Sequence, residues 1–165
     1  MDRVKGKVAV VTGSASGIGE AAVKLLAREG ARVAIVDIDD ANGERVAEEI
    51  GAEGGVVGFW HMDVSVEDEV KKTFAAVYDR YQQLHILVNN AGIAGPRKPA
   101  HETPVEDWDR VLGVNLKGAF YCTEHAAPYI LKTRPGSVVN VASVYGRFDP
   151  YRAHSRLSHL ANTRV

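Results

Sequence analysis

Cysteine is nearly missing from this chain: Cys122 stands alone among 165 residues. A single thiol excludes an intrachain disulfide framework and points to a reducing compartment. Long apolar runs are missing as well, and none approaches the roughly 20 residues that a membrane-spanning helix needs. The opening stretch, Met1-Asp2-Arg3-Val4-Lys5-Gly6, carries no apolar core of a signal peptide. Excess charge of either sign is absent, the formal net charge being -1, so no surface is expected to track a nucleic-acid backbone. The six histidines, His61, His85, His101, His125, His154 and His159, show no zinc spacing with Cys122 or with one another. Most of them read as solvent-facing or capping residues, and no metal site is expected. These absences leave a cytoplasmic, soluble globular chain, and a hydrophobic fraction of 45% is ample for one real core.

What is present is an alternation. Val8 to Val11, Val33 to Val36, Val56 to Trp60, Ile86 to Val88 and Val138 to Val141 are short, nearly continuous apolar runs. Strands buried on both faces read this way. Helix-period segments lie between them, so the expected fold is α/β, a Rossmann-like doubly wound parallel sheet. Ile18, Ala21, Ala22, Leu25 and Leu26 recur at helical spacing, and Gly30 ends that helix. Ser65-Val66-Glu67-Asp68 reads as a helix start, with Val66, Val70, Phe74, Val77 and Tyr81 giving the apolar face. Thr103-Pro104-Val105-Glu106 reads as a capping box with proline at the first helical position, launching Val105, Trp108 and Leu112. A further helix is expected from about Leu116 to Leu131, with Phe120, Thr123, Ala127 and Leu131 on one face and a kink at Pro128. Arg134-Pro135-Gly136 ends it. Cys122 reads as an inert buried thiol, Trp60 and Trp108 as packing residues, and Glu44 to Glu49 as a solvated helix face.

One junction carries chemistry. Thr12-Gly13-Ser14-Ala15-Ser16-Gly17-Ile18-Gly19 lies between the first strand and the first helix. The unpaired amides and dipole of a helix N-terminus attract anions, and glycines let the backbone approach a pyrophosphate. Gly13 suits the tight turn, Gly17 the approach, and Gly19 close packing of helix on strand. Asp37 ends the next strand at the spacing where a carboxylate accepts hydrogen bonds from ribose hydroxyls and repels a ribose phosphate. With Ser14 and Ser16 in the loop and Asp39 and Asp40 beyond Asp37 and Ile38, NAD is favoured over NADP.

The glycine loop, Asn89-Asn90-Ala91-Gly92 after the fourth run, and Asn140-Val141-Ala142-Ser143 at the end of the fifth together resemble the short-chain dehydrogenase/reductase family. The resemblance runs from about Lys5 to Ser143. It implies NAD-dependent interconversion of a secondary alcohol and a ketone by hydride transfer, with a small-molecule substrate and neither nucleic acid nor membrane as partner. By the same resemblance, Gly13, Ser14, Ser16, Gly17, Ile18, Gly19, Asp37 and Ile38 contact the cofactor. Asp63 and Val64 hold the adenine; Asn89, Ala91 and Gly92 line the cofactor and steady the sheet. Asn115 distorts its helix and organises a proton-relay water, and Ser143 hydrogen-bonds the substrate oxygen.

The chain departs from the family in one respect. The family's Tyr-x-x-x-Lys should place its tyrosine near positions 155 to 157, which hold Ser155, Arg156 and Leu157, and no lysine follows Lys132. Tyr151 is followed four residues later by Ser155, and Tyr145 by Asp149; no spacing argument places His154 or Arg152 as a substitute cation. A free tyrosine, pKa near 10, is only about 0.1% ionised at pH 7, and lowering it by three units takes roughly 4 kcal/mol. Residues 1–150 are therefore expected to form an incomplete NAD-binding domain, lacking the family's usual C-terminal third, with 151–165 an atypical tail. A frameshift, alternative splice or early stop would produce such a chain. The alternative to impaired catalysis is an inactive NAD-binding or partner-binding fragment. The interface helices of a homo-oligomer would be incomplete, and the fifth strand would present an apolar edge.

Overall fold

A computed structural model describes residues 2–96 and 98–143. The tail from 151, Tyr145, Tyr151 and Arg97 lie outside the described residues. Five parallel strands form one sheet: β1 (Val8–Thr12), β2 (Arg32–Asp37), β3 (Val57–His61), β4 (Ile86–Asn89) and β5 (Ser137–Asn140), in the order β3-β2-β1-β4-β5. Helices α1 (Gly17–Arg28), α2 (Asp40–Ala52), α3 (Glu67–Tyr81), α4 (Val105–Leu112) and α5 (Ala119–Thr133) connect them, and a π-helical turn, Gly113–Gly118, joins α4 to α5. This is the Rossmann-like architecture expected from the alternating runs.

The strand pleat divides the core in two. Val8 and Val10 of β1 and Ala34 and Val36 of β2 face one side, where Val70, Phe74 and Val77 of α3 and Cys122, Ala126 and Ile130 of α5 cover them. Val11, Val33 and Ile35 face the other side, against Val23 of α1 and Val46 and Ile50 of α2. Each such aliphatic or aromatic side chain contributes about 2 kcal/mol on burial, which explains why β1 and β2 are apolar on both faces. Helix α1 ends in a glycine cap: Gly30, at φ 87, donates to the Ala27 carbonyl and Ala31 to that of Leu26.

Several local expectations are corrected. In α1, Ile18 is 72% and Leu25 53% exposed, while Val23 is the fully buried side chain. In α5, Phe120 and Leu131 are exposed and the buried stripe is Cys122, Ala126 and Ile130. Ser65 does not cap α3; its hydroxyl donates to Asp63 Oδ1, while Glu69 reaches back to accept from the Asp63 amide, and Val66, expected on the apolar face, precedes the helix and is exposed. Thr103 forms no capping box, because its hydroxyl donates to the Pro99 carbonyl. In α4 the buried residue is Val111, and Val105 is exposed. His85 is buried and not solvent-facing, with Nδ1 accepting from the Val8 amide at 3.0 Å. Within the run 44–49, Arg45 and Glu49 are more than a solvated face, since they bind Glu20 and Lys24 of α1.

Candidate cofactor and active site

Because all five strands are parallel, their C-terminal ends share one edge of the sheet, and the glycine loop, Asp37, Asp63, Asn89 and Ser143 all follow or end a strand there. Strand β1 sits between β2 and β4, so the chain winds away from it in both directions. A crevice forms outside strand ends at such a switch point.

The glycine loop divides into residues that shape it and residues that face outward. Gly13 has φ 64, and a Cβ there would stand 2.7 Å from the Ala91 Cα. Gly19 is packed so closely that a Cβ would collide with the Gly13 carbonyl and the Asn90 amide. Ser14 shapes the loop from within: it is fully buried, its hydroxyl donates to the Val11 carbonyl at 2.7 Å and accepts from the Val36 amide. Its hydroxyl is thus spent within the loop. Ser16, Gly17 and Ile18 are exposed at the open N-terminus of α1. Gly17 has φ 56, and a Cβ added there would meet nothing within 4 Å, so the backbone is bare. These are the properties a pyrophosphate cradle requires, and the residues present fit a dinucleotide.

Asp37 is anchored by two backbone amides. Ala15 of the loop donates to Oδ2 at 2.9 Å and Asp39 donates to Oδ1 at 3.1 Å. The carboxylate is thus fixed to the glycine loop and keeps lone pairs for further donors. Ile38 beside it is 62% exposed. Asp63 Oδ1 accepts from the amide and the hydroxyl of Ser65. Val64 is 6% exposed, its side chain packed against Gly118, so only its backbone is available to a ligand.

The segment after β4 is clamped from both sides. Asn89 Nδ2 donates to Asn140 Oδ1 at 2.8 Å and to Thr123 Oγ1 at 3.0 Å, tying β4 to β5 and α5. Its Oδ1 is buried without a hydrogen-bond partner. Asn90 and Thr12, neither of them expected as site residues, hold the loop: Asn90 Nδ2 donates to the carbonyls of Thr12 and Gly13, and Thr12 Oγ1 accepts from the amides of Asn90 and Ala91. Thr12 was legible as the strand-ending hydroxyl before the glycines, Asn90 as the second amide of the Asn-Asn pair. Asn115 lies in the π turn, and its side chain binds Ile93 twice, accepting from the amide at 2.8 Å and donating to the carbonyl at 3.0 Å. Gly92 passes beside it, exposed. Ser143 follows β5 and is partly buried. Cys122 is apart from all of this, its thiol pushed up to about 12 by burial.

The switch point in the strand order, the bare helix N-terminus and the anchored carboxylate define a nucleotide-binding domain of the Rossmann-like class. The chain belongs to the short-chain dehydrogenase family, whose profile, described as short chain dehydrogenase, matches residues 7–155. It is 41% identical over 154 residues to secoisolariciresinol dehydrogenase of Forsythia intermedia, covering 93% of this chain and 55% of that one. It is 39% identical over 143 residues to (+)-borneol dehydrogenase 2 of Salvia officinalis, covering 86% and 50%. A short-chain dehydrogenase/reductase of Burkholderia phymatum, solved in complex with NAD, superimposes with a TM-score of 0.91 at 31% identity, covering 98% of this chain and 57% of that one. The chain therefore spans about half the length of the curated relatives it matches. Among the described residues no helix is long and apolar enough to cross a membrane.

Proposed function

We propose that this chain binds NAD at the C-terminal edge of its sheet and belongs to an oxidoreductase that interconverts a secondary alcohol and a ketone. The observation that carries the reading is the Asp37 carboxylate fixed to the Ala15 amide beside the bare N-terminus of α1. Ser16, Gly17 and Ile18 cradle the pyrophosphate, and Gly13 and Gly19 keep that cradle tight against β4. Asp37 accepts from the adenosine ribose hydroxyls and, being anionic, repels a ribose phosphate, which selects NAD over NADP. Ile38, Asp63 and the Val64 backbone flank the adenine. Bound NAD supplies the hydride acceptor. Ser143 donates a hydrogen bond to the substrate oxygen, and Ala91 and Gly92 line the path between the two. The side chain of Asn115 binds both backbone groups of Ile93 from within the π turn, which fixes the turn that organises a relay water. That secoisolariciresinol dehydrogenase and (+)-borneol dehydrogenase 2 are by name dehydrogenases of alcohols supports the reaction class.

A second reading, NAD binding without turnover, is favoured by the absence of Tyr-x-x-x-Lys from the 165 residues. The test is fluorescence titration of the chain with NADH, followed by absorbance at the nicotinamide band with alcohols and ketones added. Saturable binding that weakens in Asp37→Ala supports the cofactor site, and no binding by a folded sample overturns it. Cofactor turnover then supports the enzyme, and binding without turnover the second reading.

A further inference from the structure

Beside the cofactor edge, where α3 begins, two helices bring three metal-ligating side chains together. Glu67 is the first residue of α3, and Glu124 and His125 are neighbours in α5; one ligand atom from each lies within 4.8 Å of the others. His125 Nε2 is buried with no hydrogen-bond partner, although Glu67 Oε1 is only 3.4 Å away. The distance suits an ion pair, but the alignment is not that of a hydrogen bond. A cation seated between the two atoms would give both of them a partner.

We propose that Glu67, Glu124 and His125 form a binding site for a divalent transition-metal ion, Zn²⁺ being the ion that suits them. One imidazole nitrogen and two carboxylate oxygens are the mixed donor set that zinc accepts, with water completing a tetrahedron. Zinc bonds to such ligands at about 2.0–2.2 Å, which sets neighbouring donor atoms of a tetrahedron about 3.4 Å apart. The His125–Glu67 separation already has that length. The Glu124 side chain is exposed, so it closes on the ion by a change of rotamer. Two carboxylates balance the charge of the ion. Magnesium and calcium prefer all-oxygen sets with more ligands, and the imidazole disfavours them. The ion would staple the first turn of α3 to the middle of α5. Linear spacing hides the site, because its ligands come from helices separated by β4 and α4.

Lys117 is a cation nearby: its ammonium sits over the Tyr121 ring at 5.1 Å, and its pKa is raised by Tyr121 first and by Glu67 to a lesser degree. The experiment therefore separates zinc from general charge neutralisation. The 165-residue chain is melted with and without about 50 μM ZnCl₂, and with MgCl₂ at the same concentration, and its Co²⁺ complex is recorded by visible absorption. The expected result is a zinc-dependent rise in Tm of about 3 °C or more, a tetrahedral Co²⁺ band, and little response to magnesium. Glu67→Gln, at an exposed helix-end position, and His125→Gln should both lose the rise and the band. His101→Gln, an exposed histidine elsewhere, should keep them, and Glu67→Gln should keep the NADH affinity of the parent. A parent chain with neither zinc shift nor Co²⁺ band overturns the site, as does a zinc response that survives in Glu67→Gln or an equal response to magnesium.

Discussion

Asp37 and the glycines are where single atoms decide the outcome. Removing the Asp37 carboxylate deletes charge-assisted acceptors worth about 1.5–3 kcal/mol each. Asp37→Ala should therefore weaken NADH by about 10-fold to 100-fold while narrowing its advantage over NADPH, both read by fluorescence titration. A fall in the affinity for both cofactors by the same factor would count against the ribose role. Gly17 and Gly19 should separate folding from binding. A methyl at Gly17 meets nothing but sits at φ 56, costing about 1 kcal/mol, so Gly17→Ala should lower Tm by only a few degrees and yet abolish NADH binding by crowding the bare backbone. A methyl at Gly19 strikes main-chain and amide atoms that cannot swing aside, so Gly19→Ala should lose stability first, by about 1–3 kcal/mol in a chemical melt. At Cys122, complete burial and a thiol held up at about 12 predict no reaction with a thiol reagent in the native chain and one equivalent after unfolding.

Among the elements, the join between β1 and the chain entering β4 carries a pH dependence. Burial, then the charges of Lys7 and Arg32, lower the pKa of His85, and its Nδ1 must stay unprotonated to accept from Val8. A depressed histidine gives its full stabilisation above the unfolded value of about 6.5, and this is lost as pH falls through the folded value. Thermal melts from pH 8 down to pH 5 should show a steeper acid loss in the parent than in His85→Gln; equal slopes would show that the ring is not the source. The strands themselves were legible because β1 and β2 are buried on both faces and admit little except Val, Ile and Ala. The turn of α5 was not, because Phe120 and Leu131 attract the eye to a face the core does not use, while the true stripe begins with the small residues Cys122 and Ala126. The caps at Ser65 and Thr103 misled for another reason: a hydroxyl binds whichever backbone or carboxylate oxygen is closest, and Asp63 and Pro99 were closer than the helix. The placement of Asp37 at the end of β2 and of Gly17 at the start of α1 was readable from spacing alone, whereas the inward use of Ser14 and the clamp by Asn90 depend on β1, β2 and β4 lying side by side, which spacing does not reveal.

For the whole molecule, β5 ends the described sheet, and Val138, Val139 and Val141 are 40%, 48% and 40% exposed. An apolar edge of this kind templates pairing with another chain. Val139→Lys should raise the concentration at which light scattering first appears and leave NADH affinity untouched; unchanged scattering would show that this edge is covered in solution. The order β3-β2-β1-β4-β5 also bears on synthesis. In chain order each strand joins a free edge of what precedes it: β2 beside β1, β3 beside β2, β4 on the far side of β1, β5 beside β4. None of the described strands has to be inserted between two partners already joined. A ribosome releasing this polypeptide from its N-terminus can thus let the sheet accrete as it emerges, with the half that carries Asp37 assembled while the segment leading to Ser143 is still in the exit tunnel.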